Sequence, residues 1–174
     1  MERFKFGPAR EGESVVYGAQ RPGYDSRSVD GPLVHEWIAF TRGRGIRRVC
    51  CLLPPSQLAY YRVDLLGEYR ATFGDANVLH AAVEDFQLCD AALLEQKILP
   101  FLAESNSRTT PVVVHCSGGS GRTGHVLAAW LVRHRGLDVD TALSEVRSTG
   151  RNPKEAVDIR HATLAELNSL LSGK

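Results

Sequence analysis

The chain has little of what marks the more specialised classes of protein. Charge of one sign is not in excess: 21 Lys and Arg face 20 Asp and Glu, a formal net charge of +1. No nucleic-acid or membrane-surface partner is therefore expected from bulk electrostatics. Cysteine is scarce, four residues in 174, too few for a disulfide framework. No C-x-x-C pair offers a zinc site, and nothing in the sequence implies a metal or a cofactor. Cys50 and Cys51 are adjacent while Cys89 and Cys116 stand alone, a usage that suits reduced thiols and a cytoplasmic location. Long apolar runs are missing as well. The longest, Val126 to Val132, has seven residues, against the roughly 20 needed to cross a bilayer. Met1 to Arg10 is charged and lacks the apolar stretch of a signal peptide. Internal repeats and low-complexity tracts are absent. The oligomeric state is not legible.

What is present is the composition of an ordinary globular domain, 43% hydrophobic and 24% charged. The length suits a single domain over residues 1–174, with no internal boundary. Turn-forming residues crowd Tyr17 to Pro32, after a short strand near Ser14 to Tyr17. The apolar positions of Leu33 to Arg42 suit an amphipathic helix stopped by Gly43 and Gly45. Ile46 to Leu53 reads as a buried strand ended by Pro54 and Pro55, and a shorter β segment is expected near Asn77 to Val83. Asp90 to Leu102 reads as a helix that Pro100 should kink or cut short. Pro111-Val-Val-Val-His115 has the β-branched composition of a central strand. Val126 to Val132, apolar all round, reads as a buried helix. Thr141 to Arg147 and roughly Glu155 to Leu171 complete a helical C-terminal part. The expected fold is α/β, a central, mostly parallel sheet flanked by helices on both faces.

Between the central strand and the buried helix lies His115-Cys116-Ser117-Gly118-Gly119-Ser120-Gly121-Arg122-Thr123-Gly124. Glycines at 118, 119 and 121 allow the backbone to curl so that successive amides of residues 117–122 point at one spot, an anion nest. The following helix adds its unpaired N-terminal amides and the positive end of its dipole, a field that favours a nucleophilic thiolate at Cys116. Arg122 lies six residues on, close enough to fold its guanidinium over the rim and hold two phosphate oxygens bidentately. The Thr123 hydroxyl is expected to donate to the Cys116 sulfur, and His115 to brace the loop rather than supply a proton.

This stretch resembles the signature H-C-x-x-G-x-G-R-[ST]-G of the cysteine-dependent protein tyrosine and dual-specificity phosphatase superfamily, and every fixed position is met. With no added domain visible, the chain resembles a small atypical dual-specificity phosphatase, and Val83-Glu84-Asp85 resembles the Cdc14-like and regenerating-liver branches. The resemblance covers roughly Ile46 to Pro153. It implies a phosphocysteine intermediate, no metal, and a general acid on a separate loop some thirty residues before the nucleophile. Asp85 precedes Cys116 by 116 − 85 = 31 residues and is the expected acid, with Glu84, Asp75 and Asp90 as alternatives. Where relatives often carry a proline four residues after the acid, this chain has Cys89.

The resemblance also assigns Arg151, in Val146-Arg-Ser-Thr-Gly-Arg-Asn-Pro-Lys, to an arginine turn that supports the phosphate loop, although Asn152 separates it from Pro153. Related phosphatases use a second cysteine to trap an oxidised nucleophile, which raises Cys50, Cys51 or Cys89 as a partner for Cys116. Arg42, Arg44, Arg47 and Arg48 form either a steering patch or a solvated edge. Arg21-Pro22-Gly23-Tyr24 is a candidate wall of the site. The implied substrate is a phosphoprotein, phosphotyrosine with phosphoserine and phosphothreonine as further candidates. A phosphoinositide, inositol phosphate or RNA 5′-phosphate is the alternative, and a phospho-binding pseudophosphatase the remote one. The uncharged variable positions Ser117, Gly118 and Ser120 favour a singly phosphorylated target.

Overall fold

A computed structural model of the chain describes residues 2–174. Five strands form one sheet: β1 (Gly7–Pro8), β2 (Val16–Gln20), β3 (Arg48–Cys51), β4 (Val78–His80) and β5 (Val112–Cys116), in the order β1-β2-β5-β3-β4. Only the β1–β2 pair is antiparallel; β5 runs parallel to both of its neighbours. The chain is therefore a single α/β domain with a mostly parallel sheet, as its residue pattern implies.

Strand β5 is buried on both faces along its whole length, which is why its sequence is an unbroken β-branched run. Val112, Val114 and Cys116 face one apolar cluster, while Val113 faces the other. The first cluster is covered by α4 (Ala91–Leu93), a π-turn (Leu94–Ile98), α5 (Leu99–Ser107), α6 (Gly121–Arg135), α7 (Val139–Ser148) and α9 (Leu164–Ser172). The second is covered by α1 (Gly31–Gly43) and α3 (Leu65–Phe73). Cys50 and Cys51, adjacent on β3, fall into opposite clusters, as the period-2 geometry of a strand requires. Every residue of α6 from Gly121 to Leu131 is buried, so its all-round apolar sequence reflects a helix enclosed between the sheet and α7 and α9.

Three sequence expectations are revised. The helix α3 was not anticipated; Asp64 caps it by accepting from the Gly67 amide at 3.0 Å. Pro100 does not end the helix that precedes it. The chain passes through the π-turn just before Pro100 and stays helical to Ser107, the wider turn absorbing the hydrogen bond proline cannot donate. The single C-terminal helix expected over Glu155 to Leu171 is two, α8 (Glu155–Asp158) and α9. Arg160 turns left-handed between them with φ 63°, and Thr163 with Glu166 restarts the chain through a reciprocal capping box. Among the described residues no helix is long and apolar enough to cross a membrane.

Candidate active site

The loop after β5 and the first turn of α6 carry the site. Gly119 takes φ 64°, and a Cβ there would lie 2.6 Å from the Ala19 carbonyl and the Gln20 amide, so the tight curl against β2 needs glycine. The Arg21 amide donates to the Ser117 carbonyl at 3.0 Å, and Arg21 Nε donates to Ser117 Oγ at 3.2 Å. Five helices, α1, α3, α4, α7 and α9, have side-chain caps. At the N-cap of α6, Ser120 makes no such bond. Its hydroxyl accepts from the Asn152 amide at 3.1 Å instead. The first amides of α6 are thus left without the side-chain acceptor that those five helices have.

A small pocket of about 110 Å³ opens over this loop, lined by Cys116, Ser117, Gly118, Ser120, Gly121 and Arg122 together with Asp85, Phe86, Tyr24 and Glu155. Arg122 is almost wholly buried, and its fork is fully directed. Nη1 donates to Gln57 Oε1 and to the Val83 carbonyl, both at 3.0 Å. Nη2 pairs with Asp85 Oδ1 at 2.8 Å. The second Asp85 oxygen accepts from Gln57 Nε2 at 2.9 Å. Of the carboxylates weighed from the sequence, Asp85 is the one that lines the pocket. Asp90 is committed to capping α4, Asp75 lies in the short turn before β4, and Glu84 is exposed.

The other expected residues stand behind the pocket. His115 is fully buried, its Nε2 3.1 Å from the Tyr69 hydroxyl, and it packs edge-on against Trp37. Burial holds its pKa down at about 3, so it is neutral and braces the loop. Arg151 is buried and donates to the carbonyls of Lys5 and Thr149 at 2.9 and 3.2 Å. It ties the N-terminal segment to the turn before α8, while its neighbour Asn152 reaches the phosphate loop. Burial lowers Arg151 to about 10, against a charge contribution from Cys116. One expected contact is corrected: Thr123 does not bond the Cys116 sulfur. Its Oγ1 is buried without a partner, its methyl being the group turned toward Gly18.

In the basic cluster Arg42, Arg44 and Arg47 are exposed, and one member departs from the expectation. Arg48 is buried at the start of β3, the end of the sheet away from Cys116. It bonds Ser105 Oγ at 2.7 Å and Glu104 at 2.6 Å over the Phe101 ring. Its role is packing rather than steering. Of the candidate wall Arg21-Pro22-Gly23-Tyr24, Tyr24 lines the pocket and the other three do not. Arg21 is buried and gathers the carbonyls of Gly23, Tyr24 and Ser26, which sets the Tyr24 ring over Gly118. All four cysteines are free and buried. Burial pushes Cys51 and Cys89 up to about 12 and raises Cys50 well above its ordinary value, so these three stay protonated thiols.

Cys89 stands where a proline was expected because its amide is used: it donates to His125 Nε2 at 3.1 Å, a bond proline cannot make. The far end of the Asp85 loop is thereby pinned to α6. Sequence reading passed over His125, Gln57 and Glu155. Nothing local marks them; each becomes functional in appearance only where distant segments meet. Burial raises the Glu155 carboxyl, the Asp85 charge adding to it.

The two buried histidines give a stability prediction. Burial lowers His125 to about 4 and His115 to about 3 from an ordinary 6.5. Between those values the unfolded chain binds protons that the folded chain refuses, so stability falls as pH drops below about 6.5. The slope is at most about 1.4 kcal/mol per pH unit for each histidine, offset in part by Glu155, which acts in the opposite direction. Urea midpoints should be lower at pH 5 than at pH 7, and a midpoint unchanged across that range contradicts the assignment.

A nucleophilic cysteine at the carboxyl end of a central parallel strand, an arginine in the first turn of the next helix and a carboxylate from the neighbouring segment define the cysteine-dependent phosphatase class. The chain belongs to the family described as Tc-R-P, polymorphic toxin system, DSP-PTPase phosphatase, which matches residues 34–136. Among curated relatives it is similar to the phosphoglucan phosphatase DSP4, amyloplastic, of Castanea sativa, 30% identical over 113 residues, 62% of this chain and 30% of that protein. It is also similar to the dual specificity protein phosphatase Mpk3 of Drosophila melanogaster, 31% identical over 84 residues, 48% of this chain and 20% of that protein. The chain thus spans less than a third of the length of either. Among solved structures, Tk-PTP in its active form is 27% identical with a TM-score of 0.65, covering 90% of this chain and 93% of that one.

Proposed function

We propose that the chain hydrolyses phosphomonoesters through a phosphocysteine intermediate, with phosphotyrosine of proteins as the leading substrate and phosphoserine and phosphothreonine as further ones. The observation that carries this reading is the convergence of Cys116, Arg122 and Asp85 on one pocket only large enough for a phosphate and the atoms next to it. In the first step the Cys116 thiolate attacks phosphorus; the S–P bond forms, the bond to the leaving oxygen breaks, and Asp85 gives that oxygen its proton. In the second, Asp85 takes a proton from water as the water attacks phosphorus. The S–P bond then breaks, returning the thiolate and releasing inorganic phosphate. Arg122 and the amides of residues 117–122 hold the equatorial oxygens through both steps. His115 and Arg151 keep the loop in place.

Two features support an aromatic phosphate on a single-phosphate target. Tyr24 and Phe86, both about half exposed, line the pocket, a pair of apolar surfaces for a ring. The side chains at 117, 118 and 120 carry no charge, so the loop offers nothing to a second phosphate. Initial rates on phosphotyrosine, phosphoserine and phosphothreonine peptides, phosphoinositides and a phosphorylated glucan test the reading. Release from peptides, highest for phosphotyrosine, is expected. Activity confined to lipid or glucan overturns the substrate class, and silence on every substrate overturns the enzyme. Asp85→Asn should lower kcat on a phosphotyrosine peptide by roughly 10²-fold. On an aryl phosphate whose leaving group needs no proton the loss should be only a few-fold. Equal losses on the two would remove Asp85 from the role of acid.

A further inference from the structure

Gln57 has no place in the two-step chemistry above, yet it is the residue that joins the phosphate-holding arginine to the acid. It lies on α2 (Pro55–Leu58), a single turn that follows β3 and begins at a proline. The turn is closed by the Gln57 and Leu58 amides, both donating to the Pro54 carbonyl at 2.9 and 3.0 Å. The side chain is buried, and its amide is spent entirely on the site: Oε1 accepts from Arg122 Nη1 at 3.0 Å while Nε2 donates to Asp85 Oδ2 at 2.9 Å. With the 2.8 Å Asp85–Arg122 pair, three side chains close a ring in which each touches the other two.

Only an amide of this length fits the position. A carboxylate at 57 accepts from Arg122 but has nothing to donate to Asp85, and it sets two like charges in contact. An apolar residue leaves a buried Arg122 nitrogen one acceptor short. The ring also explains how the site changes hands. Nη1 is occupied by Gln57 and the Val83 carbonyl, so Nη2, now held by Asp85, is the arginine nitrogen that an arriving phosphate must take. Once phosphate displaces Oδ1 from Nη2, Gln57 Nε2 is the side-chain donor that still holds Asp85, through Oδ2, while Oδ1, which also accepts from the Phe86 amide at 3.1 Å, is released by the arginine to face the leaving oxygen.

We propose that Gln57 is a positioning residue of the reaction: it fixes the Arg122 fork and retains Asp85 at the pocket when phosphate replaces the acid on Arg122. This rests on the reading of Asp85 as the proton donor. The test compares Gln57→Ala, Gln57→Glu and Asp85→Asn, each alone, and Gln57→Ala combined with Asp85→Asn. Two substrates are used, a phosphotyrosine peptide and an aryl phosphate whose leaving group needs no proton, with melting temperatures recorded for every variant.

Gln57→Glu keeps the contact to Arg122, so KM should stay near wild type while kcat on the peptide falls roughly tenfold. Gln57→Ala should lower kcat on the peptide about as much and raise KM as well. On the activated substrate both should lose only a few-fold in kcat. Added to Asp85→Asn, Gln57→Ala should cost little more on the peptide, because the group it positions is already disabled. Equal losses on the two substrates, or losses that multiply in the double variant, overturn the proposal and leave Asp85 as acid. An Asp85→Asn variant with no substrate dependence removes the acid assignment and the proposal with it. A drop in melting temperature without the substrate split shows a purely structural residue and likewise overturns it.

Discussion

Replacing Cys116 by serine is expected to lower turnover by more than about 10⁴-fold on every substrate, the largest single effect in the molecule. The sulfur lies at the floor of the pocket, 2% exposed, at the last position of β5. The substitution exchanges one small atom for a smaller one, so neither the strand nor the loop has cause to move. What disappears is the nucleophile, since a serine hydroxyl with no adjacent base stays protonated at neutral pH. Among the buried groups closest to it in the fold, His115 is neutral and hydrogen-bonded to Tyr69, so it cannot take over as base. The phosphate-holding parts survive: Arg122, the loop amides and the start of α6. The serine variant should therefore still bind inorganic phosphate or a phosphotyrosine peptide with an affinity near that of the wild type, readable by calorimetry. Turnover preserved in Cys116→Ser would end the phosphocysteine mechanism. Loss of binding along with turnover would mean that the loop itself had collapsed.

The second large effect is expected from Arg122→Lys, a fall in kcat of roughly 10³-fold with a rise in KM. The charge is kept, so a site that used Arg122 as a point charge would tolerate the change. The geometry says otherwise. Nη1 satisfies two buried acceptors, Gln57 Oε1 and the Val83 carbonyl, while Nη2 reaches into the pocket toward Asp85. A single ammonium nitrogen cannot stand in both places, some of whose partners lie behind the pocket and others in it. Lysine must leave Gln57 and Val83 without their donor or leave the phosphate without its bidentate partner. Steady-state kinetics with a phosphotyrosine peptide measure the effect, and a lysine variant within tenfold of wild type would show that charge alone suffices.

Both predictions concern residues that are legible without a structure, and the reason is local. The phosphate loop is a continuous stretch in which nucleophile, glycines and arginine sit within seven positions, so the chemistry is written in one segment whose backbone needs only a strand before it and a helix after it. The same holds for the all-apolar composition of β5 and α6, and for Cys50 and Cys51 facing opposite ways. Asp85 was reachable by its distance from Cys116, although Glu84, Asp75 and Asp90 could be set aside only when the pocket was seen to contain Asp85 alone of the four.

The remainder is decided by which distant segments the sheet brings side by side. β3 pairs with β5 so that Cys51 lies opposite His115. The turn that follows β3 then carries Gln57 to Arg122, 65 residues away in the chain. The turn after α7 sends Asn152 back to Ser120 and Glu155 to the pocket. Nothing in the residues around Gln57, Glu155 or His125 distinguishes them from surface or capping residues. Arg48, one of four arginines in a short run, became a core residue because a Ser105 hydroxyl and a Phe101 ring lie over it. The sequence alone determined the phosphate-loop motif around Cys116, the alternation of strand and helix and the family. The tertiary structure decided which carboxylate reaches the pocket, what holds it, and where the chain breaks before α9. Hydrogen bonds within a few residues follow from local composition, whereas the partners of a buried polar group depend on the whole chain being packed around it.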